Sequence, residues 1–349
     1  MASVASNPLA IAAAREFSWF LYDLDVGANA LVFVRTDRNE IAQQTFLDPR
    51  WKPRSAETLH VPVEALLEEL EPRDAPAPLN FIWHSAFCCS TLIAKILDRP
   101  GRNLSLLEPM VLVSLADAYR GGAFESGALP RDLVGAVIKL LGKPDEPHSQ
   151  VTVKPSNLAN LLARDASGYA RGKALFLYSD LPSFIVSIAK GGAQYRDFAQ
   201  TVFEKVSGDL GERPPWSSTE LRAMSPLKVA SLAWHLQIAE MRRSWTAFGG
   251  GRAGSLNCDA FLKEPMETLT KLDGFFELGL GAEHMRAVTE GPALARHAKS
   301  PDQPFSPQMR ADEDREIRLR LGSNLDRVVE WSYRMCPATP EGVPLPDHL

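Results

Sequence analysis

The chain has 349 residues, of which 45% are hydrophobic and 23% are charged, a composition typical of globular proteins. Its 38 basic and 43 acidic residues give a formal net charge of -5, which argues against the broad basic surface that nucleic-acid binding needs. The N-terminal residues lack a basic segment followed by a sustained apolar run, and no stretch approaches the roughly 20 apolar residues of a membrane span. We therefore expect a cytoplasmic protein with no membrane span and no nucleic-acid partner.

Cysteine usage indicates reduced thiols. The four cysteines are Cys88, Cys89, Cys258 and Cys336, too few for a disulfide scaffold at this length, and none forms a C-x-x-C pair. The adjacent Cys88 and Cys89 are interpreted as small side chains that fit a loop. We expect neither a structural disulfide nor a metal site.

The first seventy residues combine a strand with a helix. A strand-like run, ALVFVRTD, covers residues 30–37, and a helix-like run, VPVEALLEELE, covers residues 61–71. The Pro-rich sequence EPRDAPAPLN follows as a linker. These patterns predict an N-terminal α+β segment over residues 1–76 and a main domain over residues 77–349.

Strands and helices alternate from Leu79 onward. Apolar strands are predicted at residues 79–83, 103–107, 150–154 and 173–180, and helices at about Ser90, after Pro109, at 131–143, from Pro155 and from Pro182. Such alternation predicts an α/β fold whose sheet is mainly parallel and is flanked by helices.

The C-terminal part of the chain, from residue 226, is predicted to be mainly helical. The apolar spacing of residues 226–245 predicts a helix with a core-facing apolar stripe, on which Trp234 and His235 are interpreted as structural. Residues 253–278 are read as a strand, a turn and a helix entered after Pro265. Residues 311–335 predict one long outer helix, because acids come first and basic residues follow.

The segment HSAFCCST, residues 84–91, lies between a predicted strand and a predicted helix, where a P-loop has G-x-x-x-x-G-K-[ST]. The spacing places His84 and Cys89 at the glycines, Ser90 at the lysine and Thr91 at the hydroxyl residue. The context fits phosphate binding at a helix N-terminus. The residues themselves match the P-loop consensus poorly.

Read with its neighbours, the segment resembles the sulfotransferase family, whose loop runs basic-Ser-Gly-Thr-Thr. Cys88, Cys89, Ser90 and Thr91 match Ser-Gly-Thr-Thr, and Glu108 in LLEPMVL matches an acid that often follows the second strand. Three further segments agree in order: VTVKPSN with Lys154, KALFLYSDLPSFIVS with Ser187, and SLNCDAFLKEPMETL with Asp259, Phe261, Pro265 and Leu269. The resemblance spans about residues 79–278 and is that of a divergent, bacterial-type member.

The resemblance implies a P-loop nucleotide hydrolase-like fold and the donor 3′-phosphoadenosine 5′-phosphosulfate, with no metal. A hydroxyl or amine of a small-molecule or peptide acceptor would receive the sulfonyl group. Glu108 is the expected general base and Lys154 the expected stabiliser of the departing oxygen, since such transfer needs positioning and cationic stabilisation. The residues expected to bind the donor are His84, Cys88, Cys89, Ser90, Thr91, Ser179, Ser187, Lys190 and Lys299.

The pattern departs from the family at two cationic positions. Phe87 stands where the loop has Lys or Arg, and Ser179 stands where the strand end has Arg. Each missing charge-assisted hydrogen bond is worth on the order of 1.5–3 kcal/mol. Candidate replacement cations are His84, Lys95, Lys190, His297 and Lys299. Lys190 is best placed by spacing, three residues after Ser187 on one helix face. The segment 296–305 is a further candidate, as a stretch that could fold over a nucleotide.

Two alternatives stay open. In the first, the chain is a catalytically inactive relative that binds a ligand or partner in an inherited cleft. In the second, it is a P-loop phosphotransferase, with Asp180 at the end of the apolar strand KALFLYSD in the manner of a Walker-B motif. Ser90 in place of the P-loop lysine argues against the phosphotransferase.

Overall fold

The computed structural model describes residues 7–70, 77, 79–210, 216, 218–291, 296–297, 300–304, 306–339, 344–346 and 349. Lys299, one of the residues expected to bind the donor, lies outside this part of the chain. So does the linker at 71–76 on which the predicted domain boundary falls, and that boundary stays a prediction.

The N-terminal residues form an antiparallel sheet of three strands with three helices. The strands are β1 (Trp19–Asp25), β2 (Ala30–Arg35) and β3 (Thr58–Pro62), in that order. The helices are α1 (Pro8–Arg15), α2 (Arg38–Gln43) and α3 (Val63–Glu69). The strand predicted at 30–37 and the helix predicted at 61–71 are confirmed as β2 and α3.

A five-stranded parallel sheet flanked by helices forms the centre of the α/β fold. Its strands are β4 (Leu79–His84), β5 (Asn103–Leu107), β6 (Gln150–Lys154), β7 (Ala174–Tyr178) and β8 (Ala253–Asn257), in the order β5-β6-β4-β7-β8. Every residue of β4, β5 and β7 is buried. Continuous apolar strands are what a parallel sheet covered on both faces requires. The predicted fold class is therefore confirmed.

Helices and one short hairpin complete the described chain. The hairpin strands are β9 (Arg296–His297) and β10 (Ser300–Pro304), and a 3₁₀-helix covers Asn157–Leu162. The remaining helices are α4 (Ser90–Leu97), α5 (Met110–Arg120), α6 (Leu133–Leu141), α7 (Ala163–Tyr169), α8 (Leu181–Lys190), α9 (Gly192–Val206), α10 (Ser218–Ala223), α11 (Pro226–Phe248), α12 (Cys258–Lys263), α13 (Pro265–Phe276), α14 (Gly281–Thr289), α15 (Pro307–Leu321) and α16 (Ser323–Met335).

Two predicted elements were wrong in detail. The single helix predicted over 311–335 is two helices, because Gly322 has φ of 51° and ψ of -140°, which ends α15 before α16 begins. The turn predicted after β8 is the short helix α12, which Asn257 caps by accepting a hydrogen bond from the Asp259 amide.

The chain divides into two compact units. The first comprises residues 1–82, 93–174 and 273–280, and the second comprises 83–92, 175–272 and 281–349. In the second unit α11 packs against α8, α9 and α16, and α8 packs against α15. Within the described residues, no helix is long and apolar enough to cross a membrane.

Candidate functional site

The loop between β4 and α4 has an unusual backbone. Ala86, Phe87 and Cys89 have φ values of 68°, 52° and 60°, a left-handed region that costs most residues about 1–2 kcal/mol each. Two hydrogen bonds hold the start of the loop: the Ser85 amide donates to the Leu177 carbonyl at 3.1 Å, and the Ala86 amide donates to His84 Nδ1 at 3.0 Å. Left-handed residues in such a loop are typical of backbone nests that bind anions.

Thr91, in the first turn of α4, carries a buried hydroxyl with no hydrogen-bond partner among the described residues. It is 2% exposed, and its Oγ1 atom makes no hydrogen bond. Ser179, which follows β7, is 0% exposed and its Oγ atom is likewise unpaired. A buried hydroxyl without a partner costs about 1–3 kcal/mol, and such exceptions in a folded protein call for a reason.

Phe87 packs into an aromatic cluster instead of presenting a charge. Its ring lies 5.6 Å from Phe184, 4.7 Å from Tyr195 and 5.7 Å from Phe198, measured between centroids. Aromatic pairs at such distances stabilise by about 0.5–1.5 kcal/mol per pair beyond area burial. The side chain that replaces the expected basic residue therefore anchors the loop to α8 and α9.

Arg310, on α15, places a guanidinium against the loop. Its Nη1 atom donates to Cys89 Sγ at 2.8 Å, and its Nη2 atom lies 3.9 Å from Cys258 Sγ at the start of α12. Asp314 lies one turn along the same helix, with its Oδ2 atom 3.7 Å from Arg310 Nε. The arginine side chain is 13% exposed. It supplies a cation to the loop that lacks one in its own sequence.

A second arginine of α15 reaches the start of α8. Arg318 Nη2 donates to Ser183 Oγ at 3.0 Å, and Ser183 Oγ donates to Asp259 Oδ2 at 3.1 Å. Asp180, which precedes α8, caps the helix by accepting from the Ser183 amide at 2.7 Å. Arg318 thus brings a positive charge to the β7–α8 connection, where Ser179 replaces the expected arginine.

Of the other residues expected to bind the donor, some are buried and some already interact with other side chains. Cys88 is buried and its Sγ donates to the Leu177 carbonyl at 3.4 Å, and Ser90 and Ser187 are also buried. Lys190 pairs with Glu313 and Asp314 at 2.8 and 3.4 Å. Lys95 donates to Thr45 Oγ1 at 3.1 Å, and burial lowers its pKa. Of the sought replacement cations, Lys95 and Lys190 are therefore committed to other partners.

Glu108 and Lys154 form a salt bridge in the first unit. Glu108 follows β5, Lys154 ends β6, and Lys154 Nζ contacts Glu108 Oε1. The Lys154 side chain is 0% exposed and that of Glu108 is 14% exposed. Glu108 has φ of 53°, and its amide donates to the Lys154 carbonyl at 2.7 Å. The structure thus brings together the two residues predicted to be catalytic, and it pairs them with each other.

Sequence reasoning missed Arg310, Arg318 and Cys258. Both arginines belong to RADEDREIRLR, where acids alternate with bases in the manner of a solvated helix, so that no local signal separates them from Arg315. Within the described residues, no group of three or more His, Cys, Asp or Glu side chains could hold a metal ion.

Comparisons with known proteins place the chain far from characterised sequences. No protein-family model and no curated protein sequence matches it. Among solved structures it is similar to a sulfotransferase from Alicyclobacillus acidocaldarius, with 14% identity and a TM-score of 0.36 over 75% of this chain and 96% of that chain. The geometry of the described residues therefore has to carry the functional argument.

Proposed function

We propose that the chain is a sulfotransferase-like protein whose loop at residues 85–91 binds the anionic end of 3′-phosphoadenosine 5′-phosphosulfate. The acceptor is a hydroxyl or amine of a small molecule or peptide. The observation that carries the proposal is the buried, unpaired hydroxyl of Thr91, placed directly after a loop with three left-handed residues.

An anion satisfies each unusual feature of this loop. An oxygen of a phosphate or sulfonyl group accepts the hydrogen bond that Thr91 Oγ1 makes to no described residue. The backbone amides at the start of α4 favour negative charge, as at other helix N-termini. Left-handed backbone at non-glycine residues persists only where the surroundings enforce it, and functional loops are where it concentrates. The residues present therefore fit the anionic end of the donor.

The two arginines of α15 compensate for the two missing basic residues. Arg310 contacts the loop at Cys89, and Arg318 contacts Ser183, in the first turn of the helix that follows the buried Ser179. We propose that Arg310 serves the 5′-phosphosulfate and that Arg318, with Ser179 and Ser187, serves the 3′-phosphate. Arg is suited to this because its planar guanidinium binds phosphate oxygens in pairs. We retain His84, Cys88, Cys89, Ser90 and Lys190 as proposed contributors to the same binding region.

We propose Glu108 as general base and Lys154 as stabiliser of negative charge on the departing oxygen, roles that rest on the family resemblance. Sulfonyl transfer needs little covalent chemistry from a protein, so that a positioned base and a positioned cation are its main contributions. Lys154 is suited to the second role because a buried ammonium acts in a low dielectric, where its electrostatic effect is larger than in water.

A binding protein without transferase activity is the second candidate. The Glu108–Lys154 salt bridge favours it, because each of the two groups already holds the other. Donor turnover separates the two candidates: an enzyme releases or transfers labelled sulfonyl groups, whereas a binding protein holds the nucleotide unchanged.

Calorimetric titration with 3′-phosphoadenosine 5′-phosphate, and separately with ATP and magnesium, tests the proposed ligand. We expect binding of the 3′-phosphorylated nucleotide and none of magnesium-ATP. Magnesium-dependent ATP binding alone would establish the phosphotransferase alternative. Absence of heat and of thermal shift with both nucleotides at millimolar concentration would refute the proposed donor site.

Arg310→Met, with Arg315→Met as its matched control, tests the arginine assignment. Loss of a charge-assisted contact to phosphate is expected to weaken nucleotide binding by about 10-fold to 100-fold. Arg315 lies on the same helix but is 68% exposed and pairs with Asp312, so its variant should bind as the wild type does. Equal affinities of the two variants would remove Arg310 from the site.

A further inference from the structure

Two cysteines and one arginine meet in the second unit. Cys89 belongs to the loop after β4, Cys258 begins α12 and Arg310 lies on α15. One guanidinium reaches both thiols: Arg310 Nη1 donates to Cys89 Sγ at 2.8 Å, and Arg310 Nη2 lies 3.9 Å from Cys258 Sγ. The chain thus brings together two sulfur atoms that are far apart in sequence and adds a positive charge beside them.

The two thiols are chemically unequal. Cys89 is partly exposed, whereas Cys258 is 0% exposed. Interaction with the Cys258 thiol and the charge of Arg310 together lower the pKa of the Cys89 thiol to about 7, against the opposing effect of burial. Interaction with Cys89 and burial raise the pKa of the Cys258 thiol. One thiol is therefore accessible and partly ionised, and its neighbour is a protonated thiol behind it.

Nucleotide binding alone does not explain why a cysteine occupies position 89. Cys89 has φ of 60°, where glycine is favoured, and the resembled family has glycine at this position. A thiolate at Cys89 also places negative charge next to a loop proposed to bind an anion. A thiol here is thus strained in its backbone and unfavourable in its charge, unless the sulfur has a task of its own.

We propose that Cys89 and Cys258 are a hydroperoxide-reactive pair that forms an intrachain disulfide. The Cys89 thiolate attacks the peroxide oxygen, the O–O bond breaks, and Cys89 becomes a sulfenic acid while hydroxide leaves and is protonated to water. The Cys258 sulfur then attacks the Cys89 sulfur, its proton goes to the departing hydroxide, and a second water leaves as the S–S bond forms. Two thiols and one hydroperoxide give one disulfide, one water and one further water or alcohol.

Arg310 has a defined part in this chemistry. A guanidinium remains charged at all working pH values and stabilises the attacking thiolate without supplying a proton. Cys88 and Cys336 lack this environment: Cys88 donates to a carbonyl, and burial raises the pKa of Cys336 to about 11. Among the four cysteines, the reaction should therefore begin at Cys89.

Peptide mapping after peroxide treatment tests the proposal on the full chain. The reduced protein is freed of reductant, treated with hydrogen peroxide at pH 7.5, blocked with N-ethylmaleimide and digested with trypsin without reduction. We expect a loss of two hydrogens and a cross-link between peptides 74–95 and 253–263, both reversed by dithiothreitol. Because peptide 74–95 contains Cys88 and Cys89, the Cys88→Ser variant assigns the linkage, and it should cross-link as the wild type does.

Two further variants separate the steps. In Cys258→Ser, Cys89 should gain one and then more oxygen atoms in place of the cross-link, because its sulfenic acid finds no resolving thiol. In Cys89→Ser, the remaining thiols should oxidise at least about 10-fold more slowly, since none is comparably ionised. Thermal unfolding checks that each variant is folded, and the wild-type map decides the matter if a variant is not.

Several results would overturn the proposal. These are a first oxidation at Cys336 or Cys88, a cross-link that omits Cys258, and the same oxidised product in Cys258→Ser as in the wild type. No nucleotide enters the experiment, so its failure is distinguishable from failure of the proposed donor site.

Discussion

Among single residues, Thr91 is the one whose side chain is best explained by ligand binding rather than by stability. A buried hydroxyl that no described group satisfies costs stability, and the chain keeps it at the start of a helix that follows an anion-type loop. A residue that contributes only to packing would have been free to become valine, which has nearly the same shape. The cost is explained if the hydroxyl serves a ligand.

Thr91→Val should therefore weaken nucleotide binding without lowering the stability of the fold. Removing an unpaired buried hydroxyl is expected to leave the free energy of unfolding unchanged or to raise it by about 1 kcal/mol, since apolar replacement of an unsatisfied group is neutral or favourable. Affinity for 3′-phosphoadenosine 5′-phosphate should fall about 5-fold to 10-fold, the equivalent of one hydrogen bond. Urea unfolding and calorimetry measure the two effects.

Thr246→Val is the matched control for that variant. Thr246 is exposed on α11, and its Oγ1 atom donates to the Arg242 carbonyl at 3.1 Å. Its nucleotide affinity should equal that of the wild type. A loss of stability in Thr91→Val with no change in binding would mean that the hydroxyl has a structural partner and no ligand.

The Glu108–Lys154 pair predicts strong coupling between two substitutions. Lys154→Met leaves Glu108 without its buried partner, and we expect a loss of about 3 kcal/mol, since breaking a buried pair is costly. The double variant Glu108→Gln with Lys154→Met should recover at least about 1 kcal/mol of this loss. A double-mutant cycle by urea unfolding measures the coupling, and strictly additive effects would contradict the pair.

Among the elements, strands were predictable and the helix contacts were not. The strands at 79–83, 103–107 and 150–154 are confirmed because continuous apolar runs bounded by turns have few other structures available. The sequence did not predict the contacts of α15, because the positions of Arg310 and Arg318 depend on how α15 packs against α8. Hydrophobic periodicity predicts which face of a helix is charged. It does not predict which other element that face contacts.

The candidate site shows the same division. The motif order of the sequence placed Thr91 at the start of a helix, Glu108 after a strand and Lys154 at the end of a strand, and the structure agrees on all three positions. Contacts between distant segments, such as those of Arg310 with Cys89 and Cys258, have no local signature, since they depend on the tertiary fold. The sequence therefore predicted the candidate residues whose position depends on their own strand or helix. It missed those whose role depends on a contact with a distant segment.

Gly322 explains the wrong prediction of one long helix and makes a prediction of its own. A β-carbon at this position would meet only the Leu319 carbonyl at 3.9 Å, so that the conformation and not crowding excludes other residues. Gly322→Ala should therefore destabilise the protein by about 1–3 kcal/mol in urea unfolding.

Gly274→Ala is the matched substitution with the opposite expected sign. Gly274 lies within α13, and apart from its chain neighbours and the backbone of its own helix no described atom lies within 4 Å of the position of a β-carbon. Alanine there should stabilise by about 0.5–1 kcal/mol, because glycine in a helix costs that much relative to alanine. Destabilisation of similar size by both substitutions would show that backbone conformation does not distinguish the two sites.

In the whole molecule, the candidate residues fall into two groups that follow the two compact units. The loop, Arg310, Arg318 and the thiol pair belong to the second unit, and the Glu108–Lys154 pair belongs to the first. Nucleotide affinity therefore reports on residues of one unit, whereas the double-mutant cycle reports on the other. Stability as a function of pH, by contrast, is a property of the whole folded chain.

His235 gives the pH dependence a defined origin. It is 2% exposed on α11, its Nε2 atom lies 3.1 Å from Ser332 Oγ, and its ring packs between Trp234 and Tyr333. Its Nδ1 atom has no hydrogen-bond partner among the described residues. Burial lowers the pKa of His235 to about 4 from the ordinary 6.5, since the charged imidazolium is poorly solvated there.

The expected sign follows from proton binding in the two states. Between pH 4 and pH 6.5 the unfolded chain binds a proton at His235 that the folded chain does not, so that stability falls as the pH falls through this window. The loss amounts to about 3 kcal/mol when complete at pH 4, and it vanishes above pH 6.5. In His235→Gln, urea unfolding across pH 4 to 8 should show a smaller loss than in the wild type. Parallel curves for the two proteins would show that the buried imidazole does not remain neutral.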